Sequence, residues 1–159
     1  MKSCFFIGHR ETPESIAPLL ANAIEKHITE KEVKEFIVGN YGAFDRMATR
    51  LLLEAKQKHP EISIMLLTPY LPTEKSRHVH DELIRYYPPD MEHVPKRFAI
   101  IRANRYVIAH CDYLIAYVWH PASNARELLE YAQRRKNKGQ IQIENLASTS
   151  QGRPLVARR

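Results

Sequence analysis

The sequence predicts an α/β protein: a Rossmann-like three-layer sandwich built on a mainly parallel sheet of about five strands. Two observations predict this fold class. Short apolar runs alternate along the chain with amphipathic stretches of helical spacing. The apolar runs are nearly continuous, as in strands that are buried on both faces of a parallel sheet. Repeated strand–helix units of this kind connect through right-handed crossovers.

The composition is that of an ordinary globular protein. The chain has 159 residues, of which 44% are hydrophobic and 26% charged, so that one domain can bury a sizeable core. Two cysteines make no disulfide framework, and no apolar run is long enough to span a bilayer. The segment Met1–Gly8 lacks the long apolar stretch of a signal peptide. We expect one cytoplasmic domain over residues 1–146, without membrane contact, and a flexible tail over 147–159.

The first half of the chain predicts three strands and two helices. Apolar residues at intervals of three and four indicate the helices, and short apolar runs indicate the strands. The expected strands are Cys4–Gly8, Glu35–Gly39 and Ile62–Leu67, and the expected helices are Pro13–Thr29 and Phe44–Lys58.

The second half begins with an irregular segment, Thr68–Pro95, which is rich in proline and favours a functional loop because it is long for a connection. A short helix is expected near Ser76–Tyr86. After this segment, the expected helices are Lys96–His110 and Ala122–Asn137, the latter ended by Gly139, and the expected strands are Tyr113–Val118 and Ile141–Glu144.

The topology predicts where a ligand would bind. In open α/β sheets, ligands lie outside the carboxyl ends of the strands, and here glycine and polar side chains follow those ends. The candidate ligand-binding residues after the first two strands are Gly8, His9, Arg10, Gly39, Tyr41, Gly42 and Asp45, and those after the fourth predicted strand are His120, Ser123 and Asn124.

The turn Gly39–Asp45 is the segment that most favours a phosphate-bearing ligand. Its glycines let the backbone approach a ligand closely, and the free N–H groups of the following helix attract anions. Arg10 would add a bidentate phosphate contact. Structural alternatives remain open: the glycines can serve only the turn, and Asp45 and Ser123 can serve only as helix caps. No complete dinucleotide-binding motif is present.

No metal or other cofactor is predicted. The densest histidine group is His78 and His80 with Asp81 and Glu82, but residues two apart on a helix do not share a face. No other cluster has the spacing of a metal site. Cys111 is expected in the core rather than as a nucleophile.

The net charge of +6 is compatible with nucleic acid and with small anionic ligands. The positive charge is spread along the chain, apart from a group at Arg134–Lys138 near the end of a helix, where cations favour the helix dipole. A small anionic ligand is therefore the preferred partner, ahead of nucleic acid.

Several motifs resemble the SLOG superfamily of small bacterial proteins, in particular the group of YpsA and YoqJ. The similar segments are Phe6–Arg10, Gly39–Asp45, Leu67–Tyr70, Val94–Ile101, Cys111–Val118 and Glu130–Ala132. The resemblance extends to Leu146, and the superfamily also includes the Lonely Guy phosphoribohydrolases and the DNA-processing protein DprA. It implies a Rossmann-like sheet with a nucleotide site, without implying a reaction.

Three functions are compatible with the resemblance, and we rank them. Binding of a nucleotide-type ligand, as in a sensor, comes first, followed by N-glycosidic hydrolysis of a nucleotide and then by DprA-like binding of nucleic acid. In the hydrolases, a Gly-Gly pair precedes a glutamate. Here Ser123 and Asn124 replace the pair, and Glu130 matches the glutamate by spacing. Arg102 or Arg105 matches an arginine of the preceding helix. These three charged residues are catalytic candidates only if the protein is a hydrolase.

The resembled hydrolases are dimers, so the resemblance also implies a homo-oligomer. The helices of a small three-layer domain have apolar residues to spare for such a contact. The candidate contact residues are Tyr86, Tyr87, Phe98 and Tyr106.

Overall fold

The computed structural model describes residues 1–70 and 82–148. Within them, six parallel strands form one sheet in the order β4-β3-β2-β1-β5-β6. The strands are β1 (Lys2–Gly8), β2 (Val33–Val38), β3 (Ser63–Leu67), β4 (Leu83–Tyr86), β5 (Tyr113–Tyr117) and β6 (Gln142–Asn145), and the helices are α1 (Ala17–Thr29), α2 (Ala43–Lys58), α3 (Lys96–His110) and α4 (Asn124–Asn137). The predicted α/β class with a parallel sheet is confirmed.

Two apolar cores lie on opposite faces of the sheet. Alternate residues of β1 belong to different cores: Phe6 packs with α1 and α2, whereas Phe5 and Ile7 pack with α3 and α4. This alternation follows from the two-residue period of a strand. A sheet covered by helices on both faces is a three-layer sandwich, as the sequence predicts.

The prediction of a short helix near Ser76–Tyr86 is wrong for its described part. Leu83–Tyr86 is a strand that pairs in parallel with β3, with Ile64 opposite Leu83. The backbone N–H and C=O groups at the edge of β3 pair with this short segment, and this pairing overrides its local preference for a helix. Residues 71–81, including His78, His80 and Asp81, lie outside the described residues.

The end of the described chain packs against the sheet. Leu146–Ser148 forms a 3-10 turn in which Leu146 and Ala147 are buried, and residues 149–159 lie outside the described part. No helix in residues 1–70 and 82–148 has the length and apolar character needed to cross a bilayer. The same residues contain no group of three or more histidine, cysteine or acidic side chains arranged to hold a metal.

The direction of chain progression reverses beside β1. From β1 the chain moves outward through β2 and β3 to β4, and α3 then returns it to β5 on the other side of β1. The carboxyl ends of β1 and β5 therefore flank a topological switch point, where the connections diverge and leave a crevice.

Candidate functional site

A cavity of about 300 Å³ opens at the carboxyl end of β1. It lies at the switch point beside β1, and the end of β1, three loops and three helices contribute to its wall. Its lining residues are Phe6, Ile7, Gly8, His9, Arg10, Gly39, Tyr41, Gly42, Asp45, Ile100, Asn104, Ser123, Asn124, Ala125 and Leu128. All of the candidate ligand-binding residues are in this set, except His120.

Close backbone contacts join the first two loops of the cavity wall. The amide of Ala43 donates to the carbonyl of Arg10 at 2.8 Å. A Cβ atom on Gly42 would lie 2.6 Å from the Cα of Arg10, which is closer than van der Waals contact permits. The backbone at Gly42 is extended, so glycine is required by this close approach and not by its dihedral angles.

Gly8 has a packing role in the same wall. A Cβ atom there would lie 2.3 Å from the ring of Phe44, in the first turn of α2. The ring of Phe44 also stacks on Tyr117, with centroids 6.4 Å apart. Gly8 thus lets the start of α2 approach the end of β1, which brings the second loop to the cavity.

Asp45 supplies a carboxyl group to the cavity. Its Oδ2 accepts the amide of Tyr41 at 3.0 Å. Gly39 leaves the space for this carboxyl, because a Cβ atom at Gly39 would lie 2.8 Å from Oδ2. Burial raises the pKa of Asp45 to about 6, although the Tyr41 amide and the charge of Arg46 act in the opposite direction. Asp45 therefore holds its own turn and presents a partly desolvated carboxyl to a ligand.

His9 joins the first loop to the loop between β5 and α4. Its Nε2 accepts the amides of Trp119 at 3.0 Å and His120 at 3.3 Å, so the ring is neutral, with its proton on Nδ1. Burial, followed by the charges of His120 and Arg126, lowers the pKa of His9. The His9 backbone is also held, since its carbonyl accepts the Thr12 hydroxyl at 2.8 Å.

The start of α4 forms the far wall. The Ser123 hydroxyl caps the helix by accepting the amide of Arg126 at 3.1 Å, and it donates to the carbonyl of His120 at 3.2 Å. The amides of Asn124 and Ala125 have no partner within the helix, as in every first turn. Ser123 therefore caps α4, which is the structural alternative that the sequence left open. The neighbouring N–H groups of Asn124 and Ala125 stay available to an anion.

His120 lies outside the cavity and shapes the loop instead. Its Nδ1 accepts the amide of Ala122 at 3.1 Å, and its side chain is exposed.

Sequence reasoning missed Ile100 and Asn104, which line the cavity from one face of α3. They lie four residues apart and therefore share a helix face. That spacing was visible in the sequence. Which face of α3 meets the cavity was not, because it depends on how α3 packs against the sheet.

The candidate catalytic residues lie elsewhere. Glu130, Arg102 and Arg105 are exposed, and none of them lines the cavity. The Arg105 guanidinium lies 5.6 Å from the ring centre of Tyr131. Leu128 and Leu129 are the buried residues of this turn of α4, so Glu130 lies at its solvent-exposed side. The carboxyl group that does line the cavity belongs to Asp45.

Comparison with known proteins gives a likeness at the level of fold. No protein-family model matches the chain, and no curated protein matches it. Among solved structures, DNA processing protein A from Helicobacter pylori, which binds single-stranded DNA, superposes with a TM-score of 0.50 and 16% sequence identity. The match covers 89% of this chain and 74% of that chain. At this identity the likeness shows a shared α/β, Rossmann-like architecture.

Proposed function

We propose that the protein binds a nucleotide or nucleotide-derived ligand in the cavity at the end of β1, as a sensor does. The observation that carries this proposal is the convergence of Arg10, Asp45 and the first turn of α4 on one cavity at the switch point of the sheet. A cavity of about 300 Å³ is of the size that small-molecule sites have.

Each part of a nucleotide has a complementary group in the wall. The α4 N–H groups and the guanidinium of Arg10 suit a phosphate. The free oxygen of the Asp45 carboxyl suits a ribose hydroxyl. Tyr41 lines the same cavity and offers an aromatic surface to a base. Asn124, in place of a glycine, would contribute a side-chain amide to phosphate binding, whereas the Ser123 hydroxyl already donates to the carbonyl of His120.

The hydrolase alternative has less support, because Glu130 is not part of the cavity wall. Hydrolysis of an N-glycosidic bond needs a carboxylate beside the ribose, where positive charge develops. A turnover assay addresses this directly: release of free base from nucleoside monophosphates, abolished by Glu130→Gln with unchanged affinity, would establish the hydrolase.

Thermal denaturation with a nucleotide library tests the binding proposal. A ligand at about 100 times its Kd adds about 2.7 kcal/mol of stability, which corresponds to a rise in Tm of about 5–10 °C. We expect Arg10→Met to abolish this rise. The matched control is Arg134→Met, which removes an exposed arginine that is outside the cavity wall. Failure of every nucleotide to stabilise the protein, or equal losses in both variants, would refute the proposal.

Binding of single-stranded nucleic acid is the second candidate. Its support is the fold shared with DNA processing protein A, together with the net charge of +6. Salt dependence separates the two candidates. Nucleic-acid affinity falls steeply with salt because several counterions are released, whereas a pocket holding one nucleotide has a shallow salt slope. A steep slope for an oligonucleotide, without stabilisation by any mononucleotide, would favour the second candidate.

We also propose that the chain forms a homo-oligomer. Phe98 and Ile101 lie about one turn apart on α3 and are 51% and 37% exposed, whereas the three candidate tyrosines are partly buried. Sedimentation velocity should therefore give a species larger than a monomer, and Phe98→Glu should dissociate it. Ile84→Glu is the matched control, because Ile84 is 54% exposed on the edge strand β4. A monomer at high micromolar concentration would contradict the proposal.

A further inference from the structure

A second cleft, of about 590 Å³, lies between α4 and the ends of β5 and β6. It is separate from the first cavity, because the two use different faces of α4. Asn124, Ala125 and Leu128 face the first cavity, whereas the residues lining the second are Val118, Trp119, Arg126, Leu129, Gln133, Lys136, Ile143, Asn145, Ala147 and Ser148. The residues of the second set that come from α4 recur at intervals of three and four, and so form one stripe along the helix.

The charged side chains that line this cleft are basic. Arg126 and Lys136 line it, and none of the described residues in its wall is acidic. The Nε atom of Arg126 is buried and has no hydrogen-bond partner among the described residues. A buried N–H donor without a partner is costly, and the partly exposed guanidinium of Arg126 can form charge-assisted hydrogen bonds with an anion in the cleft.

The remaining wall carries apolar, amide and hydroxyl side chains. Ile143 provides aliphatic surface and Trp119 aromatic surface, because both are partly exposed, whereas Val118 and Leu129 are buried. The wall is also held in place. The Asn145 side chain accepts the amide of Val118 at 3.1 Å and donates to its carbonyl at 2.9 Å, which ties the end of β6 to the end of β5.

We infer that this cleft is a second ligand site, which takes a small organic anion: a phosphate or carboxylate group on an apolar or aromatic body. Arg126 and Lys136 bind the anionic group, and Ile143 and Trp119 contact the body. No residue lines both this site and the nucleotide cavity, although His9 of the cavity wall accepts the amide of Trp119 at 3.0 Å.

Fluorescence tests the inference, since Trp119 is the single tryptophan of the chain and lies in the cleft. The probes are phenyl phosphate, benzoate and inorganic phosphate, with neutral benzyl alcohol as the control. We expect saturable changes with phenyl phosphate or benzoate, and no change with benzyl alcohol. The two anionic probes distinguish a phosphate from a carboxylate ligand, and inorganic phosphate reports whether the apolar body is required.

Three variants locate the binding. Arg126→Gln and Lys136→Gln should each weaken probe binding about tenfold, because each removes one charge-assisted contact. Lys136 is exposed, so its variant is expected to fold even if Arg126→Gln does not. Arg10→Gln, in the first cavity, should leave probe affinity unchanged. The inference is overturned if no anionic probe gives a saturable change, if benzyl alcohol binds equally well, or if only Arg10→Gln weakens binding.

Discussion

The carboxyl group of Asp45 is held by one backbone amide and is otherwise desolvated beside the cavity. Ionising it costs more in the folded chain than in the unfolded one, because burial raises its pKa from 3.8 to about 6. The resulting loss of stability is absent below pH 3.8, the pKa of the group in the unfolded chain. It grows as the pH rises and is complete above about 6, the pKa in the folded chain.

Asp45→Asn should therefore stabilise the protein at neutral pH. The asparagine oxygen can still accept the Tyr41 amide, so the turn is preserved. We expect the free energy of unfolding to rise by about 1–3 kcal/mol near pH 7.5 and to change little near pH 4. Urea unfolding at both pH values measures this. Asp112→Asn is a control, since its exposed carboxyl accepts the amide of Ser3. Destabilisation at neutral pH would contradict the explanation.

His9 should contribute stability through its two accepted amides. His9→Ala leaves the amides of Trp119 and His120 without an acceptor, which should cost about 1–3 kcal/mol. His9→Gln should recover part of that loss, because its amide oxygen can reach the position of Nε2. Chemical denaturation of both variants gives the comparison, and equal destabilisation by the two would exclude the hydrogen bonds as the cause.

The contribution of His9 should also depend on pH. A protonated Nε2 cannot accept an amide, and the pKa of His9 is lowered in the folded chain. The two hydrogen bonds of His9 therefore stabilise the fold fully above the ordinary histidine pKa of about 6.5. This stabilisation is lost as the pH falls through the lowered pKa of His9 in the folded chain. The stability difference between wild type and His9→Gln should shrink on acidification. A difference that is constant with pH would contradict this role.

At the scale of elements, the order and approximate bounds of the helices and of five strands were predictable, because each carries its own periodicity. Gly139, at φ +71°, ends α4 as expected. The exception was β4. A short segment takes the conformation that its neighbour imposes, and the neighbour of β4 is β3, which is distant in sequence, so the local pattern could not predict this strand. The packing role of Gly8 was equally hidden, since nothing in a sequence says which ring will lie against a glycine.

The contact between Gly8 and Phe44 should couple the two residues energetically. Gly8→Ala places a methyl group inside the Phe44 ring and should cost about 1–3 kcal/mol or more. Phe44→Leu also destabilises, but in the double variant the smaller side chain makes room for the methyl group. The double variant should therefore lose less stability than the two single variants together. Strict additivity in a double-mutant cycle would show that the two do not clash.

At the scale of the whole molecule, the fold determines where most of the candidate site lies. Loops that are distant in sequence meet at the reversal beside β1, so a list of residues after strand ends recovers most of the cavity wall. The side chains contributed by α3 and the exposed position of Glu130 escaped prediction. Both depend on helix rotation against the sheet, which spacing alone leaves undetermined.

A nucleotide titration followed by amide NMR shifts tests the central claim most directly. The cavity at the end of β1 predicts saturable shifts at His9, Arg10, Gly42 and Asn124, which line it, and their loss in Arg10→Met. The amides of Ala23 and Lys26, on α1 and outside both clefts, should remain unshifted and serve as the internal reference. Saturable shifts confined to residues outside the cavity, or no shifts with any nucleotide at millimolar concentration, would contradict the claim that this cavity is a nucleotide site.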